Sequence, residues 1–192
     1  FDMNGKTAGI IGTGKIARIL IRILQGFGMK VVAYDLYPDE KYAREVGISY
    51  VSLDGLYAQA DMISLHVPLT DQTKNMIDAQ SIAKMKEGTI IINTSRGQLI
   101  HTNALIEGLK SKKIAAAGLD VYEEEEGYFY EDQSDKIIDD DVLARLLSFN
   151  NVIVTSHQGF FTEEALTNIA ETTLQNAEAF RTGMELKNEI YL

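Results

Sequence analysis

Five ionisable side chains stand at the downstream ends of apolar runs: Asp35, His66, Arg96, Asp120 and His157. Ligands of open parallel sheets bind beyond the carboxyl ends of the strands, whereas unrelated surface loops would scatter such residues over both ends. Arg96 lies in Ser95-Arg96-Gly97, just past the β-branched run 89–93. Its planar guanidinium is suited to holding a carboxylate through two hydrogen bonds, with a surface arginine as the alternative reading. Gly97 beside it would let a ligand reach the backbone. His157 follows the last apolar run, and an imidazole's near-neutral pKa suits proton exchange with a carbonyl oxygen. A carboxylate beside it would orient the ring and favour its charged form. The run Glu123 to Glu126 offers four, and their spacing chooses none of them. His66 reads equally as a cleft residue or as a satisfied strand-end histidine, and His101, ahead of a helix, as a solvated cap. No spacing suits a metal, whether H-E-x-x-H or paired cysteines, and Ser95 lacks the G-x-S-x-G setting of a hydrolase nucleophile.

Among the elements that must position these groups, the first is a glycine turn. Residues 8–11 form an apolar strand, Gly12 and Gly14 follow, and a helix runs on to about residue 25, with Ala17 at the third small position. Gly12 permits the tight turn, and Gly14 lets a pyrophosphate approach the backbone at the helix start, where free N–H groups and the dipole favour an anion. A second strand, 30–34, ends at Asp35, which is 23 positions after Gly12. That spacing fits the acid that bonds a ribose 2′-hydroxyl. A carboxylate there repels a 2′-phosphate, and neither Leu36 nor Tyr37 brings a cation to neutralise one. The reading is a dinucleotide site for NAD rather than NADP.

The same alternation continues downstream. Helices are expected over 39–46, 52–59, 81–85, 102–110 (capped by Thr102) and 142–147, and strands over 49–51, 62–67 (stopped by Pro68), 89–93, 115–119 and 152–155. The acidic, aromatic stretch 123–141 is long for a connection between such elements. Thr162 caps a final helix to 181 with Glu163 and Glu164 in its first turn, and Leu166, Ile169, Thr173, Ala177 and Phe180 repeat at helical spacing along it. Strands alternating with helices imply an α/β fold, a doubly wound parallel sheet of about seven strands of the Rossmann kind. The expected division is a dinucleotide-binding domain over 1–160 and a C-terminal helix over 161–192.

Composition narrows the partners. The 192 residues are 45% hydrophobic and 24% charged, ordinary for a globular protein, with a net charge of −10. That balance argues against nucleic acid or an anionic membrane. There is no cysteine, which excludes disulfides and thiol catalysis and fits a reducing compartment. No apolar run approaches a spanning length. The chain opens on Phe1 directly ahead of a core strand, as expected of a piece of something longer.

Taken together, Gly12-Thr13-Gly14-Lys15-Ile16-Ala17, His66-Val67-Pro68-Leu69-Thr70, Asn93-Thr94-Ser95-Arg96-Gly97, Gly118-Leu119-Asp120-Val121-Tyr122-Glu123 and Thr155-Ser156-His157 resemble the D-isomer-specific 2-hydroxyacid dehydrogenases. The resemblance covers nearly the whole chain. It implies that Arg96 binds a substrate carboxylate, that His157 is the general acid/base, and that Glu125 is the carboxylate paired with it. It also implies that Asp120 contacts the nicotinamide amide, that Asp35 contacts the adenosine ribose, and that Lys15, Ile16, His66, Val67, Pro68 and Thr94 belong to the cofactor site. The stretch 122–132 and His157-Gln158-Gly159-Phe160 are similar to the D-lactate dehydrogenase branch, with Phe160 near the substrate methyl group. The family is two-domain. The chain is expected to lack the substrate domain, to which the last helix would return, and the isolated piece to be weakly active at best. The partner expected is a small 2-keto or 2-hydroxy acid, and the assembly a cytoplasmic homodimer. The alternatives are a D-2-hydroxyisocaproate-type enzyme acting on larger 2-keto acids and a non-catalytic NADH-sensing module.

Overall fold

The computed structural model describes residues 1–123 and 140–190, which form two compact units, Phe1–His157 and Gln158–Leu192. In the first unit β1 (Thr7–Ile11), β2 (Lys30–Tyr34), β3 (Ser49–Tyr50), β4 (Met62–Leu65), β5 (Thr89–Asn93), β6 (Ile114–Leu119) and β7 (Val152–Val154) make one sheet. Its order is β3-β2-β1-β4-β5-β6-β7, and every pairing is parallel. The seven-stranded, doubly wound α/β fold read from the sequence is therefore the fold observed.

Strand alternation divides the core into two layers. Ala8 and Ile10 of β1, with Val31 and Ala33 of β2, bury against Ala17, Ile21 and Leu24 of α1 (Lys15–Gly26) and against α2 (Glu40–Val46). Ile11, Ile63, Leu65 and Ile91 face the other way. They pack with α3 (Leu53–Gln59), α4 (Ala79–Lys84), α5 (Thr102–Lys110) and α6 (Asp141–Leu147). The order therefore reverses between β1 and β4, where helices leave on opposite faces and a crevice opens beyond the strand ends.

Local chemistry fixes most helix starts. Asp39, Ser52 and Asp78 each accept a backbone N–H from the first turn of α2, α3 and α4. At α5 the structure corrects the expectation. His101 Nδ1 accepts from Ala104 N at 3.3 Å and is the cap, as its position before the helix suggested. Thr102 is the first helical residue, and its hydroxyl donates to Glu123 Oε2 at 2.9 Å. The carboxylate takes the hydroxyl proton and anchors the first helical residue of α5 to the chain beyond β6.

In the second unit Thr162 caps α7 (Glu163–Thr182), accepting from Ala165 N at 3.2 Å, and Gly183 closes it in the left-handed conformation. No residue of α7 is buried. Among the described residues no helix is long and apolar enough to cross a membrane.

Candidate functional site

At the carboxyl end of β1, Gly12 takes φ +88° and donates its N–H to Tyr34 O at 2.8 Å. A Cβ there would lie 2.6 Å from the His66 carbonyl oxygen. Only glycine lets the turn pass between the ends of β2 and β4. Gly14 caps α1 with open space around it, no side-chain cap and no acidic residue in the first turn. The free N–H groups of a helix start therefore stand open to an anion.

Two cavities flank this turn. One of about 430 Å³ is lined by Gly12, Thr13, Asp35, Leu36, Tyr37, His66, Val67, Pro68 and Met76, among others. The second, of about 420 Å³, is lined by Gly14, Lys15, Ile16, Ala17, His66, Thr94 and Ser95. His66 and Gly14 line both, so the two cavities adjoin at the β1/β4 switch point. Asp35 accepts from Thr13 N and Thr13 Oγ1, each at 2.7 Å, and from Tyr37 N at 2.9 Å. Burial alone would raise its pKa, but the hydrogen bonds from Tyr37 and Thr13 outweigh it and hold the carboxyl below its ordinary value. It is an ionised acceptor in an open cavity.

His66 is half-buried, with Nε2 2.9 Å from the hydroxyl of buried Ser64. Burial lowers its pKa. The unfolded chain then binds the proton more readily, so stability from this group is complete above about pH 6.5, the ordinary histidine value. It is lost as pH falls through the lower folded value. The decline of Tm between about pH 7 and about pH 5 is therefore expected to be shallower in His66→Gln. Parallel profiles for parent and variant would assign the acid sensitivity elsewhere.

The ends of β5, β6 and β7 are laced together beyond the strands. Asp120 N donates to Asn93 O at 2.9 Å, and His157 N donates to Asp120 O at 2.6 Å. The Thr155 hydroxyl donates to the Asp120 carboxylate. Buried Asn93 shapes the loop carrying Arg96: its Oδ1 accepts from Ser95 N at 3.1 Å and its Nδ2 donates to Arg96 O at 2.8 Å. Ser95 Oγ reaches back to Val67 O at 2.7 Å, tying this loop to the end of β4. Arg96 is exposed, with Nη1 2.8 Å from Ser95 O. Ser156 and His157 are consecutive left-handed residues, φ +51° and +55°. Such backbone costs energy and persists where the surroundings over-determine it.

Two expectations need correction or relocation. The space beside Gly97 is filled by the backbone of Tyr122 and Glu123, not left for a ligand. Of the acidic run, Glu123 is engaged with Thr102, and Glu124 to Glu126, Glu125 included, lie outside the described residues. Phe160 belongs to the second unit, where it is exposed and meets Phe161 edge to face with ring centres 6.3 Å apart. Thr13 and Asn93 were not anticipated as site residues. A hydroxyl inside the glycine turn and an amide closing a β-branched strand are the signals that mark them. Among the described residues no group of His, Asp or Glu is arranged to hold a metal ion.

Residues 1–159 match the model of the D-isomer specific 2-hydroxyacid dehydrogenase, NAD binding domain. The chain belongs to that family. Its cofactor is NAD, and the glycine turn, the open helix start and the ionised Asp35 fit that group. The chain is 49% identical to the D-lactate dehydrogenase of Escherichia coli over 99% of its length and 57% of that protein's. It is 50% identical to an aromatic 2-oxoacid reductase of Clostridium sporogenes over 98% of its length and 56% of that protein's. The solved structure of the pyruvate reductase of Chlamydomonas reinhardtii superposes with a TM-score of 0.92 at 44% identity, covering 98% of this chain and 57% of that one. The chain thus spans little more than half the length of the family members it resembles.

Proposed function

We propose that this chain is the NAD-binding part of a D-lactate dehydrogenase, reducing pyruvate to D-lactate. The carrying observation is the backbone lacing of Asn93, Asp120 and His157, which sets the loops after β5, β6 and β7 side by side at the edge where the glycine turn opens. Neighbouring strands are about 4.8 Å apart, so groups on these loops are within one small ligand's reach of each other.

Asp35 would hold the adenosine ribose, Gly14, Lys15 and Ile16 the diphosphate turn, and His66, Val67, Pro68 and Thr94 the walls of the two cavities. Asp120 would meet the carboxamide end. NADH, when bound, supplies the hydride for the keto carbon. Arg96 binds the substrate carboxylate and fixes which carbon faces the cofactor. His157 gives its proton to the keto oxygen as that oxygen gains charge, and takes it back in the reverse direction. Glu125 is assigned as the partner that orients His157, and Phe160 as the neighbour of the substrate methyl group. The proposal extends to a cytoplasmic homodimer, supported by the absence of cysteine and by Ile19 and Ile23, which are exposed on α1.

A second reading, reduction of larger 2-keto acids, is favoured by one observation: identity to the aromatic 2-oxoacid reductase equals that to the D-lactate dehydrogenase within one per cent. The discriminating assay uses a protein of the relatives' full length that carries this chain, with NADH and either pyruvate or an aromatic 2-oxoacid. The expected product is D-lactate, with a higher kcat/KM for pyruvate. A higher kcat/KM for the aromatic acid transfers the assignment to the second reading. NADH binding with turnover of neither acid sinks the enzyme reading and leaves a sensing module.

A further inference from the structure

Thr13 does more than separate two glycines. Its N–H and its hydroxyl both donate to Asp35 Oδ2, each at 2.7 Å. Its Oγ1 also lies 2.9 Å from the hydroxyl of Tyr50, on the edge strand β3. Its carbonyl accepts from Arg18 Nε at 3.0 Å. The direction of these bonds follows from counting protons. An ionised carboxylate only accepts, and a hydroxyl carries one proton. The Thr13 proton is committed to Asp35, so Tyr50 must donate to Thr13. The result is a one-way relay, Tyr50 to Thr13 to Asp35, running from the sheet edge into the glycine turn. Arg18 pins the far side: it pairs with Asp39 at 2.9 Å and lies 4.1 Å over the ring of Tyr42, so the Thr13 peptide is held at its carbonyl as well.

We propose that Tyr50, acting through Thr13, is a positioning residue that sets the preference for NAD over its 2′-phosphorylated form. Tyr50 lines neither cavity of the crevice. Its effect is on the carboxylate that does line one. Held in a single rotamer, Asp35 presents its charge where the ribose hydroxyls bind, accepting from them and repelling a phosphate. Without Tyr50 the Thr13 hydroxyl can rotate away from Asp35, which leaves the carboxylate held by Thr13 N and Tyr37 N alone and less firmly fixed. That weakens the bond to the ribose hydroxyls and relieves the repulsion of a 2′-phosphate, so selectivity narrows from both sides.

The inference rests on Asp35 carrying the adenosine ribose, and Asp35→Ala tests that separately. The readout is the dissociation constant of NADH and of NADPH, measured by calorimetric titration of the protein without substrate. Tyr50→Phe, which removes one oxygen, is expected to raise the NADH constant about 3- to 10-fold and leave that of NADPH level or lower, the effect of losing one hydrogen bond in a charged chain. Thr13→Val should do more, and Thr13→Ser should restore parental values because it keeps the hydroxyl. Since Tyr50 acts through Thr13, Tyr50→Phe added to Thr13→Val should cost nothing further. A purely structural role for Tyr50 would weaken both cofactors alike and add in full to Thr13→Val, and either result overturns the relay. If Asp35→Ala narrows selectivity while Tyr50→Phe is silent, the relay is refuted and the ribose reading stands. If Asp35→Ala is silent too, both fall.

Discussion

In a protein of the relatives' full length, His157→Asn is expected to lower kcat for 2-keto acid reduction by about 10²- to 10⁴-fold, the contribution of a positioned general acid. The choice of asparagine matters. His157 has φ +55° and follows Ser156 at +51°, a pair of left-handed residues that most side chains would strain. Asparagine tolerates that backbone nearly as well as glycine does, and keeps the His157 N–H to Asp120 O bond available. The substitution therefore removes the imidazole while leaving the loop after β7 in place. The NADH dissociation constant should stay near the parental value, because the crevice assigned to the adenosine and the diphosphate is built from the ends of β1, β2, β4 and β5. Substrate KM should move little, since the carboxylate is assigned to Arg96. A kcat within about threefold of the parent would remove His157 from the chemistry, and the acid would have to be sought elsewhere.

Sequence patterning made the sheet legible, because parallel strands buried on both faces must be short, continuous and β-branched. The run 89–93 shows this: Thr89, Ile91 and Asn93 are buried, and Ile90 and Ile92 partly so. The strand ends were legible for the same reason, since the first ionisable residue after such a run has to lie at its carboxyl end. What pattern could not supply was partners distant in the chain. Thr102 has the residue type of a cap, yet His101 is the cap and the Thr102 hydroxyl donates to Glu123, 21 positions away, a contact that no local rule foresees. Gly97 misled in the same way. A small residue reads equally as room for a ligand or as room for another stretch of chain, and only the fold shows that residues 122 and 123 occupy it. Thr13 was overlooked because the glycines around it explained the turn well enough by themselves. Its hydroxyl acquires meaning only once β2 and β3 bring Asp35 and Tyr50 to it.

Gly97→Ala is expected to be strongly destabilising although its backbone is not in the left-handed region. Gly97 opens a short 3₁₀ turn, Gly97–Leu99, directly after Arg96. A Cβ there would overlap the Tyr122 carbonyl group and approach the Glu123 nitrogen. These are backbone atoms, and both residues are anchored. The buried Tyr122 donates its hydroxyl to Asp140 at 2.7 Å, Asp140 caps α6, and Glu123 holds the head of α5. Relief by a side-chain rotation is not available, so either the β5 loop or the β6 loop must shift. Overpacking of this kind costs about 3 kcal/mol. At roughly 2–4 °C per kcal/mol for a chain of this size, Tm should fall by about 6–12 °C. Gly14, whose Cβ position is open, supplies the control: Gly14→Ala should lose only about 1 kcal/mol, the cost of a poorer helix cap. The displacement also has a functional reading, because Arg96 is the adjoining residue. If the β5 loop is the one that yields, KM for the keto acid rises in proportion to the loss of carboxylate binding, and the NADH constant rises less, since Thr94 and Ser95 line only one of the two cofactor cavities. A Gly97→Ala protein that melts within about 2 °C of the parent would show that the two loops are not locked against each other, and Arg96 would then owe its position to Asn93 and to the Ser95–Val67 bond.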